Sequence, residues 1–173
     1  MTLLTLAYPT LSGADRAWIQ RIRSQYDSQA QWVAPHFTLV FPVFDVEGQW
    51  FEVEIRQQAR GQKPIRFEIR CAVVVRDTLS DLTHTFLVPD QGFSDLVKLH
   101  DQVYSGLLAP HLRLDIPFIP HITVASSVDA TVCKRIADAI NAEDRVVRGE
   151  VETLDIVHFA NQQVTTLAQI SLA

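Results

Sequence analysis

Two stretches, Pro35-His36-Phe37-Thr38 and Pro120-His121-Ile122-Thr123, stand 85 positions apart in a chain of 173 residues. Each leads into an apolar, strand-like run, and the order of elements around each is the same. Residues 2–8 read as a buried strand ended by Pro9. Residues 12–26 read as an amphipathic helix with Ala14, Ala17, Trp18, Ile22 and Tyr26 on one face, capped by Ser12 and Asp15. A strand at 36–44, a helix at 48–60 and a strand at 65–75 follow. The second half then gives a strand at 84–88, a helix at 93–108, a strand at 118–125 and a helix at 129–142. Strand-like runs at 146–158 and 163–172 close the chain.

Strand, helix, His/Thr strand, helix and strand therefore occur twice, with one strand added. Duplication of a single unit accounts for this, and it rests on element order rather than sequence identity. The predicted fold class is α+β: a bilobal duplicated fold whose halves form sheets facing one another, with helices outside and a cleft between. Residues 1–173 are expected to form one domain of two pseudo-symmetric lobes, working as a monomer.

Charge narrows the partners. A formal net charge of −5 argues against a surface that tracks the backbone of long duplex nucleic acid. It leaves room for a small phosphorylated ligand in a local cleft. No apolar run is long enough to cross a membrane, and the first ten residues lack the basic start of a secretory leader, so the expected location is cytoplasmic. Cys71 and Cys133 stand alone, without zinc-type spacing, and are expected to be buried, reduced thiols.

Side chains two apart on a strand share a face. His36 and Thr38 therefore point one way, and so do His121 and Thr123, while Phe37 and Ile122 point into the core. Two imidazoles across a cleft suit phosphodiester chemistry. One, neutral, takes a proton from water or a ribose hydroxyl, and the other, protonated, gives one to the departing oxygen. The threonine hydroxyls can donate to the phosphoryl oxygens. No metal or other cofactor is called for.

The paired motifs "HFTL" and "HITV", with this layout, resemble those of the 2H phosphoesterase superfamily, and within it the 2′-5′ RNA ligase-like and cyclic phosphodiesterase branch. The resemblance implies a bilobal α+β fold with two antiparallel sheets lining a central cleft, and metal-independent chemistry on 2′,3′-cyclic phosphates, 2′-5′ linkages or related phosphoesters. The partner would be a small phosphorylated substrate, a nucleotide or a short RNA end. His36 and His121 would be the acid–base pair, and Thr38 and Thr123 the phosphate donors; which histidine is acid and which base stays open. Many relatives place a cation shortly after a motif, whereas here Val40-Phe41-Pro42 and Ala125-Ser126-Ser127 follow. Ser126 is the candidate neutral substitute, expected on the face of His121. Tyr8 and Phe159, near strand ends, are weaker candidates for holding a base by stacking.

The other histidines read as packing or surface residues. His84 and Thr85 are adjacent, so they fall on opposite faces and make no third motif. His158 ends a strand and is a candidate to line the cleft, and a histidine-based metal site would need a further ligand such as this residue. A non-catalytic module of the same fold, binding a nucleotide or RNA end, is the competing reading.

Overall fold

The computed structural model describes residues Met1–Ala173. It contains strands β1 (Leu3–Ala7), β2 (Thr10–Leu11), β3 (Phe37–Val43), β4 (Ile65–Arg76), β5 (Thr83–Gln91), β6 (Ile122–Ser127), β7 (Val147–Val151), β8 (Thr153–Ala160) and β9 (Gln163–Ser171). The helices are α1 (Gly13–Tyr26), α2 (Gly48–Gln58), α3 (Phe93–Val103) and α4 (Ala130–Ala142), with 3-10 turns at Ser28–Gln31 and Gly106–His111.

The strands form two antiparallel sheets, ordered β3-β1-β8-β9 and β2-β7-β4-β5-β6. The sheets do not part at the midpoint of the chain. β4 closes the first half of the sequence but pairs with β5, and β8, near the end, returns to pair with β1. The two halves thus exchange a strand. One consequence matters for the site: β3 and β6, the strands that follow the two histidines, each lie at a sheet edge.

The run at 146–158 splits at Glu152, with β7 joining one sheet and β8 the other. Neither proline nor glycine stands at the switch to mark it in the sequence. The run at 118–125 becomes strand only at Ile122, and the helix over 93–108 ends at Val103. Gly106, at φ 54°, then turns the chain into the second 3-10 turn.

α1 and α4 pack on the second sheet, α3 packs against β3, and α2 packs on α3. Their apolar faces and the inner faces of both sheets merge into one contiguous core. Phe37 meets Phe67 of the other sheet edge-to-face at 5.1 Å, which ties the two sheets together.

α1 begins as expected: the Ser12 hydroxyl accepts the Asp15 amide at 3.0 Å. Its buried face differs. Trp18, Ile19 and Arg23 are buried, whereas Ala14, Ala17 and Tyr26 are not. The stripe is rotated because a buried arginine, 2% exposed, completes it. Cys133 is buried and donates to the Thr83 carbonyl, but Cys71 is exposed. A register shift between Ile69 and Cys71 advances β4 by one residue, so the buried series passes from Ile69 to Ala72 and Cys71 turns outward.

Candidate active site

His36 and His121 each sit one residue before their strand, immediately after a proline that has no N–H to give to a ladder. Each ring turns back along the chain in the same way. His36 Nδ1 lies 2.8 Å from the Ala34 carbonyl oxygen, and His121 Nδ1 lies 2.5 Å from that of Ile119. A carbonyl only accepts, so Nδ1 must carry the hydrogen in both rings. Nε2 is then the nitrogen left to act, a base when bare and an acid when protonated. The motifs match in orientation and tautomer as well as in sequence.

Phe37 and Ile122 are fully buried, so Thr38 and Thr123 take the opposite, open faces of their strands. Around His36 and Thr38 lies a hollow of about 220 Å³, whose other walls include Leu6, Trp32, Val157 and Phe159. Phe159 is 38% exposed at this rim, and the Tyr8 ring stands edge-on to His36 at 6.0 Å. Tyr8, Thr38 and Phe159 are therefore brought to His36. Trp32, in the link between α1 and β3, carries no signal in the sequence because it belongs to no periodic element. Leu4, Leu6, Val33, Val157 and Val164 make this half of the cleft apolar.

On the second sheet, His121 stacks on Phe86 of β5, with ring centres 3.5 Å apart and planes 15° off parallel. Ser126 also reaches this face, though not by alternation. It stands five residues after His121, an odd interval that a regular strand would turn inward. A register shift opposite Thr85 and Phe86 leaves both Val124 and Ala125 buried and returns Ser126 to the open side.

Burial is the main force lowering the pKa of both imidazoles, because desolvation disfavours the charged form. In His36 the bond to the Ala34 carbonyl opposes this, and the charges of Arg23 and Asp27 act in opposite senses. His121 falls to about 4; the Ile119 carbonyl resists, and the charges of His36 and His84 press it further down. Tyr8 is pushed up to about 12 by burial and by Asp155, so it stays a hydroxyl donor. Near Tyr8 and His36 lies a buried ion pair, Arg23 Nε to Asp27 Oδ2 at 2.8 Å, with Arg23 Nη1 unpartnered.

The remaining histidines divide. His100 is buried, donates Nδ1–H to the Leu39 carbonyl at 2.8 Å and stacks on Phe118 at 3.6 Å; it is packing. His158 turns to the Thr2 carbonyl and shares a face with Leu3, away from the cleft. No three His, Cys, Asp or Glu side chains cluster as a metal site, and no helix is long and apolar enough to cross a membrane. His84 lies in the cleft, on the face of Phe86.

Two antiparallel sheets, each offering a His-x-Thr edge to a shared cleft, define the class: a 2H phosphoesterase-type fold. The chain matches the family described as the 2′-5′ RNA ligase superfamily over residues 11–163, and it belongs to that superfamily. It is 32% identical over 105 residues to a protein of Geobacillus thermodenitrificans named "Putative phosphoesterase", covering 59% of this chain and 57% of that one. A similarly named Bacillus licheniformis protein is 25% identical over 108 residues, 61% of this chain and 60% of that one. The matched stretch thus spans under two thirds of both curated relatives.

Solved structures share the fold over nearly the whole chain. Escherichia coli LigT complexed with 3′-AMP superposes with a TM-score of 0.57 at 19% identity, covering 99% of this chain and 97% of that one. TT0787 of Thermus thermophilus gives 0.63 at 18%, covering 99% and 98%. Kluyveromyces marxianus Usb1 gives 0.56 at 11%, covering 96% and 97%.

Proposed function

We propose that the protein is a metal-independent phosphoesterase acting on a 2′,3′-cyclic phosphate or a 2′-5′-linked nucleotide or short RNA end, by acid–base catalysis between His36 and His121. The observation that carries this reading is the matched tautomer: both rings spend Nδ1–H on the carbonyl two residues back and keep Nε2 for chemistry. Family membership supports a phosphoesterase or RNA ligase-like activity. LigT, which shares the fold, has been crystallised with 3′-AMP, ATP and NADP+, in keeping with a nucleotide in the cleft.

In hydrolysis of a cyclic phosphate, one Nε2 takes the proton of a water as its oxygen bonds to phosphorus. The other Nε2–H passes its proton to the ribose oxygen as the P–O bond breaks, leaving a phosphomonoester. Thr38 and Thr123 donate to the oxygens that gain charge. Burial drives both imidazoles toward the neutral form, so a bare Nε2 is ready to act as base. The phosphate, once bound, supplies the negative charge that keeps a proton on the other imidazole, the acid. The hollow beside His36 suits a nucleobase, with Trp32 and Phe159 as stacking surfaces.

The test is turnover of 2′,3′-cyclic nucleotides and 2′-5′ dinucleotides in the presence of a chelator. His36→Ala and His121→Ala should each lose about 10²–10⁴-fold. A substrate leaving as p-nitrophenolate needs little acid, so it should largely rescue one of the two variants, which identifies the acid, and not the other. Equal rescue of both would overturn the division into one acid and one base. Loss of activity on chelation would overturn the metal-independent reading, and tight binding of 3′-AMP with no product from any substrate would favour a binding module.

A further inference from the structure

His84 sits beside the site but has no part in the reaction above. It lies on the open face of β5, while its neighbour Thr85 is fully buried and donates to the Cys133 carbonyl. His84 stacks on Phe86 at 5.5 Å and 10°, and Phe86 stacks in turn on His121. Its two nitrogens face different groups. Nδ1 is 2.9 Å from Ser126 Oγ, and Nε2 is 3.7 Å from Asp77 Oδ2. Asp77 is fixed by its own turn: the Leu79 amide donates to Oδ1 at 2.9 Å, and the Ser80 hydroxyl donates to Oδ2. Burial raises its pKa, but these bonds and His84 outweigh that, and Asp77 stays below the usual carboxylate range.

We propose that Asp77, His84 and Ser126 form a relay behind the phosphoryl site, in which His84 is a positioning residue that turns the Ser126 hydroxyl toward the substrate. The proposal rests on the phosphoester reading of the cleft and names how that cleft recognises its phosphoryl group. A serine hydroxyl has one hydrogen to give. When His84 carries protons on both nitrogens, Asp77 balances the charge and Nδ1–H donates to Ser126 Oγ. The serine hydrogen is then free for a phosphoryl oxygen. When Nδ1 is bare, it accepts that hydrogen itself and the cleft loses a donor. A carboxylate, an imidazole and a hydroxyl thereby place a proton-dependent donor where no arginine or lysine stands.

The groups facing His84 leave this arrangement uncontested. β6 supplies Ser126, the residue just before that strand is His121, and the turn after β4 supplies Asp77. The β4 partner of His84 is the uncharged Val75, and the adjacent Arg76 is engaged by Asp81 at 3.6 Å. Asp77 is thus the carboxylate at hand, and Ser126 is the partner of Nδ1.

The experiment measures KM and kcat of wild type, Ser126→Ala, His84→Phe and His84→Asn from pH 5 to 8, with 3′-AMP binding by calorimetry alongside. Ser126→Ala removes the donor, so KM should rise about 10-fold. His84→Phe keeps the ring stack but leaves the Ser126 hydroxyl unaimed, so KM should rise by less, and the double variant should be no worse than Ser126→Ala. His84→Asn keeps an N–H near the Nδ1 position, so KM should stay low. Unchanged KM and Kd in Ser126→Ala, or effects of His84→Phe and Ser126→Ala that multiply, would overturn the relay. The two readings fail separately. If no substrate is turned over, the phosphoesterase reading falls while the 3′-AMP series still decides the relay.

Discussion

Titration of His121 offers a direct measure of how far the cleft desolvates its imidazoles. Its pKa falls from an ordinary value of 6.5 to about 4 because protein surrounds the ring on the Phe86 side and two further imidazoles lie within reach. The sign follows from proton counting. Between those two values the unfolded chain holds a proton on this residue and the folded one does not, so stability is lost as pH falls from about 6.5 to about 4 and levels off below. At about 1.4 kcal/mol per pKa unit the full loss is at most about 3 kcal/mol, reduced by solvent screening because the ring is partly open. About 2 kcal/mol of it falls between pH 7 and pH 5. Urea unfolding at those two pH values, for wild type and His121→Asn, isolates the effect. Asparagine can keep the bond to the Ile119 carbonyl but does not titrate, and the carboxylates contribute equally to both proteins. Wild type should lose about 2 kcal/mol more than the variant on acidification. Identical losses, or an NMR titration of His121 centred near 6.5, would refute the burial argument.

Three further outcomes follow from the packing. Trp32→Ala should weaken substrate or 3′-AMP binding by about 10-fold with kcat kept, since a stacked base is held by ~1–3 kcal/mol; an unchanged Kd would place the base elsewhere. Gly92 has φ +82°, and a Cβ there would stand 2.5 Å from the Arg66 carbonyl oxygen. Gly92→Ala should therefore cost about 1–3 kcal/mol in denaturant unfolding, and full stability would contradict the close approach. Arg23→Met strands Asp27 as a buried, unpaired carboxylate, a loss of about 3–5 kcal/mol that Arg23→Met/Asp27→Leu should largely recover; an equally unstable double variant would show that the arginine acts by more than pairing.

The sequence carries the parts of this fold that depend on short-range pattern. The runs between residues 2 and 172 keep their secondary-structure type because periodicity, the Ser12 cap and the prolines act locally. Interactions between distant residues are another matter. The crossing of β4 and β8 between sheets depends on pairing partners chosen across the whole chain. The burial of Arg23 is legible only once Asp27 is seen beside it in the interior. At the site, His-x-Thr is local and readable, as is the placement of Tyr8 and Phe159 at strand ends. Trp32 and Phe86 are not, because one lies in an irregular link and the other reads as an ordinary strand aromatic. For His84, a neighbour that faces away excludes a His-x-Thr motif but not a place in the cleft.

Of the register shifts in the two sheets, the one in β6 bears on the site. A regular strand offers the cleft positions 121, 123 and 125, and Ala125 has nothing to give a phosphate. The extra residue at Val124–Ala125 moves the phase by one, so the next open side chain is the Ser126 hydroxyl. The same shift sets the pairing on β5: beyond it His84 stands opposite Ser126, and before it Phe86 stands opposite Thr123. One irregularity thus places the hydroxyl in the cleft and sets an imidazole against it at 2.9 Å. Inserting one further residue at 124–125 would move the phase again and turn Ser126 inward, leaving the His121 and Thr123 face with no third donor. Chemistry at the paired histidines and recognition through Ser126 should therefore be separable by changes to this bulge, even though both stand on one six-residue strand and its flank.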